Sequence, residues 1–441
     1  MKHPAEANDR ASPLGIEPPF PQGRSFAIAA ACMLAAVALP LLGWATATQL
    51  APGLVLALLA GLWMLSSTPF LLPPLLALLL LCLFDVVPSA DLIRAASGDA
   101  ALWALASLIL SQAARQSGLL GTLFVHAAGR AAPGSGGRAM GAVIWLALAL
   151  ALLPSPAQAA RWSESFRAAS GLSLRAGREL SGAAHLLARL AWLPAHPANL
   201  VAIGLLPSGG LDRFVALHWL LQVWPLLALA LVHGAAAQWL SARPPRHPES
   251  AHLISAQIKD RFALHGVAGI GLGLAVMTVL QPFHGQAPGQ VALLGLVMLF
   301  ALRWVPAGRF HPSIDWEVLI AVGLLPGLIA ALGFLLPEAA VSLPLAATAL
   351  PLLLVLRALF PALAAVSLAF VIVVPWTGRL SADLLNTALP VLVSLHIAEL
   401  VLVCPGAGDR GVGWQGVLQA LRRPWTWLWV GAYYLWLGWI P

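Results

Sequence analysis

Residues 341–375 read VSLPLAATALPLLLVLRALFPALAAVSLAFVIVVP. The stretch is longer than one bilayer span of ~20 residues. It is interrupted at Pro351 and Pro361 and carries a single charge, Arg357. Proline removes a backbone donor and clashes with the preceding helical turn, so the expectation is a helical hairpin that enters and leaves a membrane on one side. A second stretch has the same character: the apolar run 139–153 ends in Leu153-Pro154-Ser155-Pro156 and passes into the amphipathic AQAARWSESFRAA. A broken helix at membrane depth is tolerated only where protein or water covers it, so both hairpins (139–170 and 341–375) are expected to be covered in that way.

The composition agrees with a lipid setting. Of 441 residues, 60% are apolar and 9% charged, and the mean hydropathy is +0.86; a soluble chain has roughly 45–50% and 25%. An ordinary soluble enzyme, a disordered chain and a nucleic-acid binder are thereby excluded. Further apolar runs lie at 26–44, 51–66, 70–86, 101–125, 183–207, 214–241, 263–283, 290–306, 315–336, 384–405 and 425–440. At ~20 residues each, about eleven spans and two hairpins use most of the chain. What remains suffices for loops and a polar, proline-rich tail over 1–25, read as disordered and cytoplasmic. Residues 26–50 are expected to form the first span.

Placing the N-terminus inside puts most of the 24 cations on the cytoplasmic side. Arg94, Arg213 and Arg379 fall outside, and Arg115, Arg189 and Arg357 within membrane elements. That bias is the positive-inside pattern, and it accounts for the net charge of +7 without a nucleic-acid partner. The C-terminus then lies in the periplasm and the linker 242–262 in the cytoplasm. Cys32, Cys82 and Cys404 have no CxxC partner, so neither a disulfide nor a cysteine metal site is expected.

The same order of features occurs twice. Residues 51–241 hold three spans, a hairpin, a broken span and a final span; residues 263–441 repeat that order from the opposite side. Inverted repeats with interrupted helices at matching places mark a secondary transporter. The expected fold is thus an all-α polytopic membrane protein with two inverted repeats.

The stretch GLWMLSSTPFLLPPLLALLLLCLFDVVPSADLIRAASGDAALWALASLILSQAARQSGLL at 61–120 resembles the span pair of the divalent anion/sodium symporter (DASS) family. There a Trp-x-x-Ser/Thr-Glu-x-x-Pro pattern precedes a helix that ends in a Ser/Thr-Gly-Leu turn, here Ser117-Gly118-Leu119. The resemblance in layout covers about residues 50–440. It implies an elevator-like homodimer whose substrate sits near the midplane. In that family the hairpin tips carry Ser-Asn-Thr; the corresponding residues here are Ser155, Pro156, Ala157 and, counting back from Pro375, Ala365, Val366, Ser367. The family's Gly-Thr-Pro-Pro-Asn break corresponds to Ala195-His196-Pro197-Ala198-Asn199. The second break corresponds to Cys404-Pro405-Gly406-Ala407-Gly408-Asp409. The implied substrate site is therefore Ser155, Pro156, Ala157, Asn199, Ser367, Pro405, Gly406 and Gly408. Both tips lack the family's Asn and Thr, which departs from dicarboxylate specificity and from sodium coupling.

Ionisable residues within the membrane are costly, and several stand out. His396 and Glu399 are three apart, on one helical face, and histidine titrates near neutrality; they are proton-coupling candidates, or else Glu399 merely bonds a neighbouring helix. Arg357 either attracts an anion or snorkels to the outer surface. Arg115 reads as snorkelling, and His185 with Arg189 as lining a cytoplasmic mouth. Asn199 either binds solute or fixes the broken backbone. Trp425, Trp427, Trp429, Trp436, Trp439, Tyr433 and Tyr434 read as an interfacial belt. No catalytic or metal motif stands in the sequence, so no enzyme activity and no cofactor are expected. The expected function is secondary transport of a small anionic solute across a bacterial inner membrane, with a proton favoured over sodium as coupling ion. The alternative is a degenerate, non-transporting partner or sensor protein of the same fold.

Overall fold

The computed structural model describes residues 55–56, 58–63, 70–83, 98–131, 136–205, 216–240, 261–305, 314–335, 345–373, 384–402 and 413–439. Among them every regular element is helical. In chain order these are α1 (Leu72–Leu83), α2 (Asp99–Gln116), α3 (Leu119–Ala131), α4 (Gly136–Ala151), α5 (Pro156–Ser170), α6 (Leu174–Ala191), a 3-10 turn (Leu193–Ala195) and α7 (Pro197–Gly204). There follow α8 (Ala216–Leu240), α9 (Arg261–Val279), the short α10 (Gln281–His284), α11 (Pro288–Ala301) and α12 (Trp316–Leu335). The chain closes with α13 (Leu345–Leu359), α14 (Ala362–Val373), α15 (Leu384–Leu402), α16 (Gly413–Leu421) and α17 (Pro424–Leu437). The tail 1–25, the first span 26–50, nearly all of the linker 242–262, and Pro405, Gly406 and Gly408 lie outside the described residues.

Local sequence explains the boundaries. Gly118 adopts φ 84°, a left-handed conformation that glycine takes at no steric cost, and there the run 101–125 divides into α2 and α3. Proline opens α5, α7, α11 and α17, where its missing N–H is not needed. Other prolines sit inside helices without ending them: Pro225 in α8, Pro326 in α12, Pro351 in α13 and Pro390 in α15. Packing neighbours hold such helices together.

That behaviour corrects the reading of 341–375. Pro351 does not interrupt the chain; α13 runs through it to Leu359, between the buried Leu350 and Leu353. The break falls at Phe360 and Pro361. Ala365, Val366 and Ser367 therefore lie inside α14 rather than at a tip, and the Ser367 hydroxyl donates to Leu363 O at 2.7 Å. In the first stretch the break does fall at residues 152–155. There α5 packs on α3 and α6, and α4 packs on α3, α6 and α8.

Two apolar cores fill the interior. One gathers α3, α4 and α5 with the C-terminal half of α2; the other gathers α7 and α12–α17 with the N-terminal half of α2. Helix α6 belongs to both, through Leu180 and Ala184 on one side and Leu186 and Leu190 on the other. Small residues permit close approach: the hydrogen of Gly204 faces Pro326, and that of Gly234 faces Val143 and Ala183. Such contacts are typical where helices pack without a hydrophobic drive between them.

Among the described residues many large apolar side chains are exposed, Leu79, Leu148, Trp239, Phe262, Leu272, Phe283 and Leu435 among them. Two described helical segments, Ala216–Trp239 and Arg261–Val279, are long and apolar enough to cross a membrane, and shorter apolar helices accompany them. The aromatic cluster of α17 divides between two roles. Trp429, Tyr433 and Trp436 are buried core residues, whereas Trp427, Tyr434 and Trp439 face outward, so only the second group can form an interfacial belt.

Candidate functional site

The site begins where α6 stops. Trp192 and His196 are extended, the 3-10 turn lies between them, and Pro194 and Pro197 contribute no N–H. Ending a helix orphans its last carbonyls, and several have identifiable partners here. Ala188 O accepts from Trp192 N at 2.9 Å and Trp192 O from Ala195 N at 2.9 Å. Leu190 O accepts from the Trp219 indole at 2.6 Å. Asn199 Nδ2 donates to Arg189 O at 2.9 Å and to Leu193 O at 3.1 Å. His196 caps the next helix by accepting from Ala198 N at Nδ1, 3.3 Å away.

Helix α15 crosses this break. His396 Nε2 lies 2.8 Å from Asn199 Oδ1, and the rings of His196 and His396 meet edge to face with centroids 5.2 Å apart. One turn further along α15, the Glu399 carboxylate forms an ion pair with Arg189 of α6 through Oε2. Its other oxygen, Oε1, is 3.6 Å from Arg357 Nε of α13. Arg357 also donates through Nη1 to Phe360 O at 2.7 Å, satisfying the end of α13. His396 Nδ1 is 4.0 Å from Glu399 Oε2. Earlier on α6, His185 bonds Ser163 of α5 at 2.9 Å. Two guanidiniums and two imidazoles thus surround one carboxylate, on elements from both halves of the chain.

This arrangement is buried. Asn199, His196, His396 and Arg357 are all enclosed, and the side chains of Arg189 and Glu399 are only 14% and 13% exposed. In such surroundings a charge persists only when paired, and an arginine–carboxylate contact is the strongest pairing available to side chains. The chemistry on offer is recognition of a carboxylate or another small anion. Among the described residues, no group of three His, Cys, Asp or Glu side chains could hold a metal ion.

The structure brings four of the sequence candidates together: Asn199, His396, Glu399 and Arg357. Both Nδ2 protons of Asn199 go to backbone carbonyls, which leaves no donor for a solute and matches its backbone-fixing role. Arg357 is buried beside Glu399 rather than extended to a surface. Ser155 stands elsewhere: its hydroxyl donates to Asp315 Oδ2 at 2.7 Å, linking the first break to the start of α12. Pro156 and Ala157 open α5, and Arg115 pairs with Gln112 on its own helix. The pairing that sequence reasoning did not foresee is that of Arg189 with Glu399, since a partner 210 positions away leaves no local signal.

No protein-family model matches the chain, and no curated protein matches it.

Proposed function

We propose that the chain is a secondary transporter of a small anionic solute, with the guanidiniums of Arg189 and Arg357 as its anion-recognising groups. One observation carries the reading: three charged side chains, from α6, α13 and α15, meet at a helix break inside an apolar molecule. A packed scaffold gains little from that arrangement, because replacing buried ions by apolar residues is often neutral or stabilising. A transporter, by contrast, needs ionisable groups and irregular backbone at membrane depth.

The wider reading follows from the sequence. It takes about eleven spans with two re-entrant stretches in two inverted repeats, in a bacterial inner membrane, with the N-terminus inside and the C-terminus outside. The DASS resemblance adds an elevator-like motion and a homodimer. Proton coupling through Glu399 and His396 is preferred to sodium, because Pro156 and Ala157 at the first break supply no side-chain oxygen to a cation. Proteoliposome uptake of a panel of monocarboxylates, dicarboxylates, sulfate and amino acids tests the function. Uptake driven by a sodium gradient and retained in Glu399→Gln would exclude the proton. A cytoplasm-dependent fluorescent reporter should light up when fused after Ala251 and stay dark at the C-terminus.

A second reading, a non-transporting partner protein of the same fold, is favoured by the saturated hydrogen bonding of Asn199. Absence of uptake and of solute binding across the whole panel would select it.

A further inference from the structure

The Glu399 carboxylate lies between two guanidiniums. Its two oxygens divide between the guanidiniums of two different helices, Oε2 on Arg189 and Oε1 3.6 Å from Arg357 Nε. The charged or titratable groups around it are Arg189 on α6, Arg357 on α13, His396 on its own helix and His196 in the break, with His185 one turn before Arg189. Arg189 meets Oε2 directly and Arg357 Nε stands 3.6 Å from Oε1, so one carboxylate spans the pair. Packed core residues enclose the cluster: Leu190, Leu193, Leu356, Leu395 and Ile397 are all buried.

We propose, resting on the small-anion reading above, that Glu399 is a tethered competitor for the anion site and that the solute is a monocarboxylate. One carboxylate already spans both arginines, so one carboxylate is what the pair accommodates. An incoming anion R–COO⁻ takes the guanidiniums and the Glu399 carboxylate gives them up. A carboxylate without a partner is not kept charged in an apolar interior, so Glu399 takes one proton from solvent as the anion binds. Each carboxylate therefore enters with one proton. Net charge at the site is the same before and after, two guanidiniums with one carboxylate anion.

Acetate is the probe, with neutral acetamide as the control of equal shape. Binding is read from the thermal-unfolding midpoint of the purified chain in nanodiscs, and Glu399→Gln keeps the side-chain volume while removing the competitor. The expected result is acetate binding at least tenfold tighter in Glu399→Gln than in wild type, no response to acetamide, and loss of the acetate effect when Arg357→Gln is added. Equal or weaker acetate binding in Glu399→Gln overturns the proposal, since Glu399 would then build the site rather than fill it. If that variant does not fold, wild type decides: acetate added in weak buffer with a pH indicator should draw close to one proton per bound anion, and binding without proton uptake overturns the proposal. Neither readout needs transport. Acetate binding without flux would remove the transporter reading and leave this one standing; flux of another solute with no acetate binding would do the reverse.

Discussion

Asn199 and His396 are 197 positions apart in sequence, and His396 Nε2 lies 2.8 Å from Asn199 Oδ1. Because both amide protons of Asn199 point to the carbonyls of Arg189 and Leu193, its oxygen must be the acceptor, and His396 carries the proton on Nε2. His396 Nδ1 is left on the side of Glu399 and has no hydrogen-bond partner among the described residues. The asparagine thus locks the end of α6 and fixes the orientation of the histidine on α15. Backbone break and charged cluster are one construction.

Replacing Asn199 by Ala should therefore act on stability. It strips partners from two carbonyls and one imidazole, of which Leu193 O and the His396 ring are buried, and a buried polar group left unpaired costs about 1–3 kcal/mol. A clear fall in thermal midpoint is expected, measured in detergent or nanodiscs. An unchanged midpoint with lost solute binding would instead make Asn199 a solute contact.

The two classes of tryptophan on α17 should separate cleanly. Trp429 is 1% exposed and Trp427 60%. Trp429→Ala opens a core cavity and should destabilise by about 3–5 kcal/mol. Trp427→Ala should leave the midpoint near that of wild type and weaken retention in lipid. Equal losses from both would mean that burial does not distinguish them.

Gly204, at the end of α7, has no room for a methyl group: a Cβ there would come within 2.6 Å of Pro326 Cγ and 3.4 Å of Ala100 Cβ. Proline cannot swing aside as a flexible chain can. Gly204→Ala should cost about 1–3 kcal/mol through overpacking, whereas Gly269→Ala, with open space around it, should not. Matching melting curves for the two variants would contradict the close contact of α7 with α12.

How far these features could be read in advance depends on their range along the chain. The break within 183–207, placed at Ala195–Asn199, was legible because Pro197 interrupts an apolar run, and the closeness of His396 to Glu399 because i, i+3 residues share a helical face. The break at residue 351 was misread for the same local reason: a proline signals a missing bond, but not whether neighbouring helices hold the segment straight. Ser367 was misplaced separately: the resemblance put it at a tip by counting back from Pro375, whereas it lies inside α14. Arg189 was beyond local reading altogether, since periodicity says which face is polar and not which distant face it meets. The tryptophans of α17 fail similarly, because composition marks an aromatic cluster but only packing divides it into core and rim.

The pairing of Arg189 with Glu399 makes the most quantitative test. Removing one member of a buried ion pair costs about 3–5 kcal/mol, largely because the other charge is left without compensation. Arg189→Gln should therefore destabilise strongly, and Glu399→Gln comparably, as it leaves two guanidiniums facing each other. The double variant Arg189→Gln/Glu399→Gln removes both charges of the pair, so it should be more stable than the sum of the single losses, with a coupling of about 0.5–3 kcal/mol as for directly contacting residues. Arg357→Gln should cost less than Arg189→Gln, because Glu399 then keeps its closer partner, Arg189. The cycle, read from reversible unfolding at low and at moderate salt, should give the same coupling at both, since a buried pair is screened far less than an exposed one. Additive losses, or a coupling that vanishes with salt, would mean that the two side chains do not meet inside the protein.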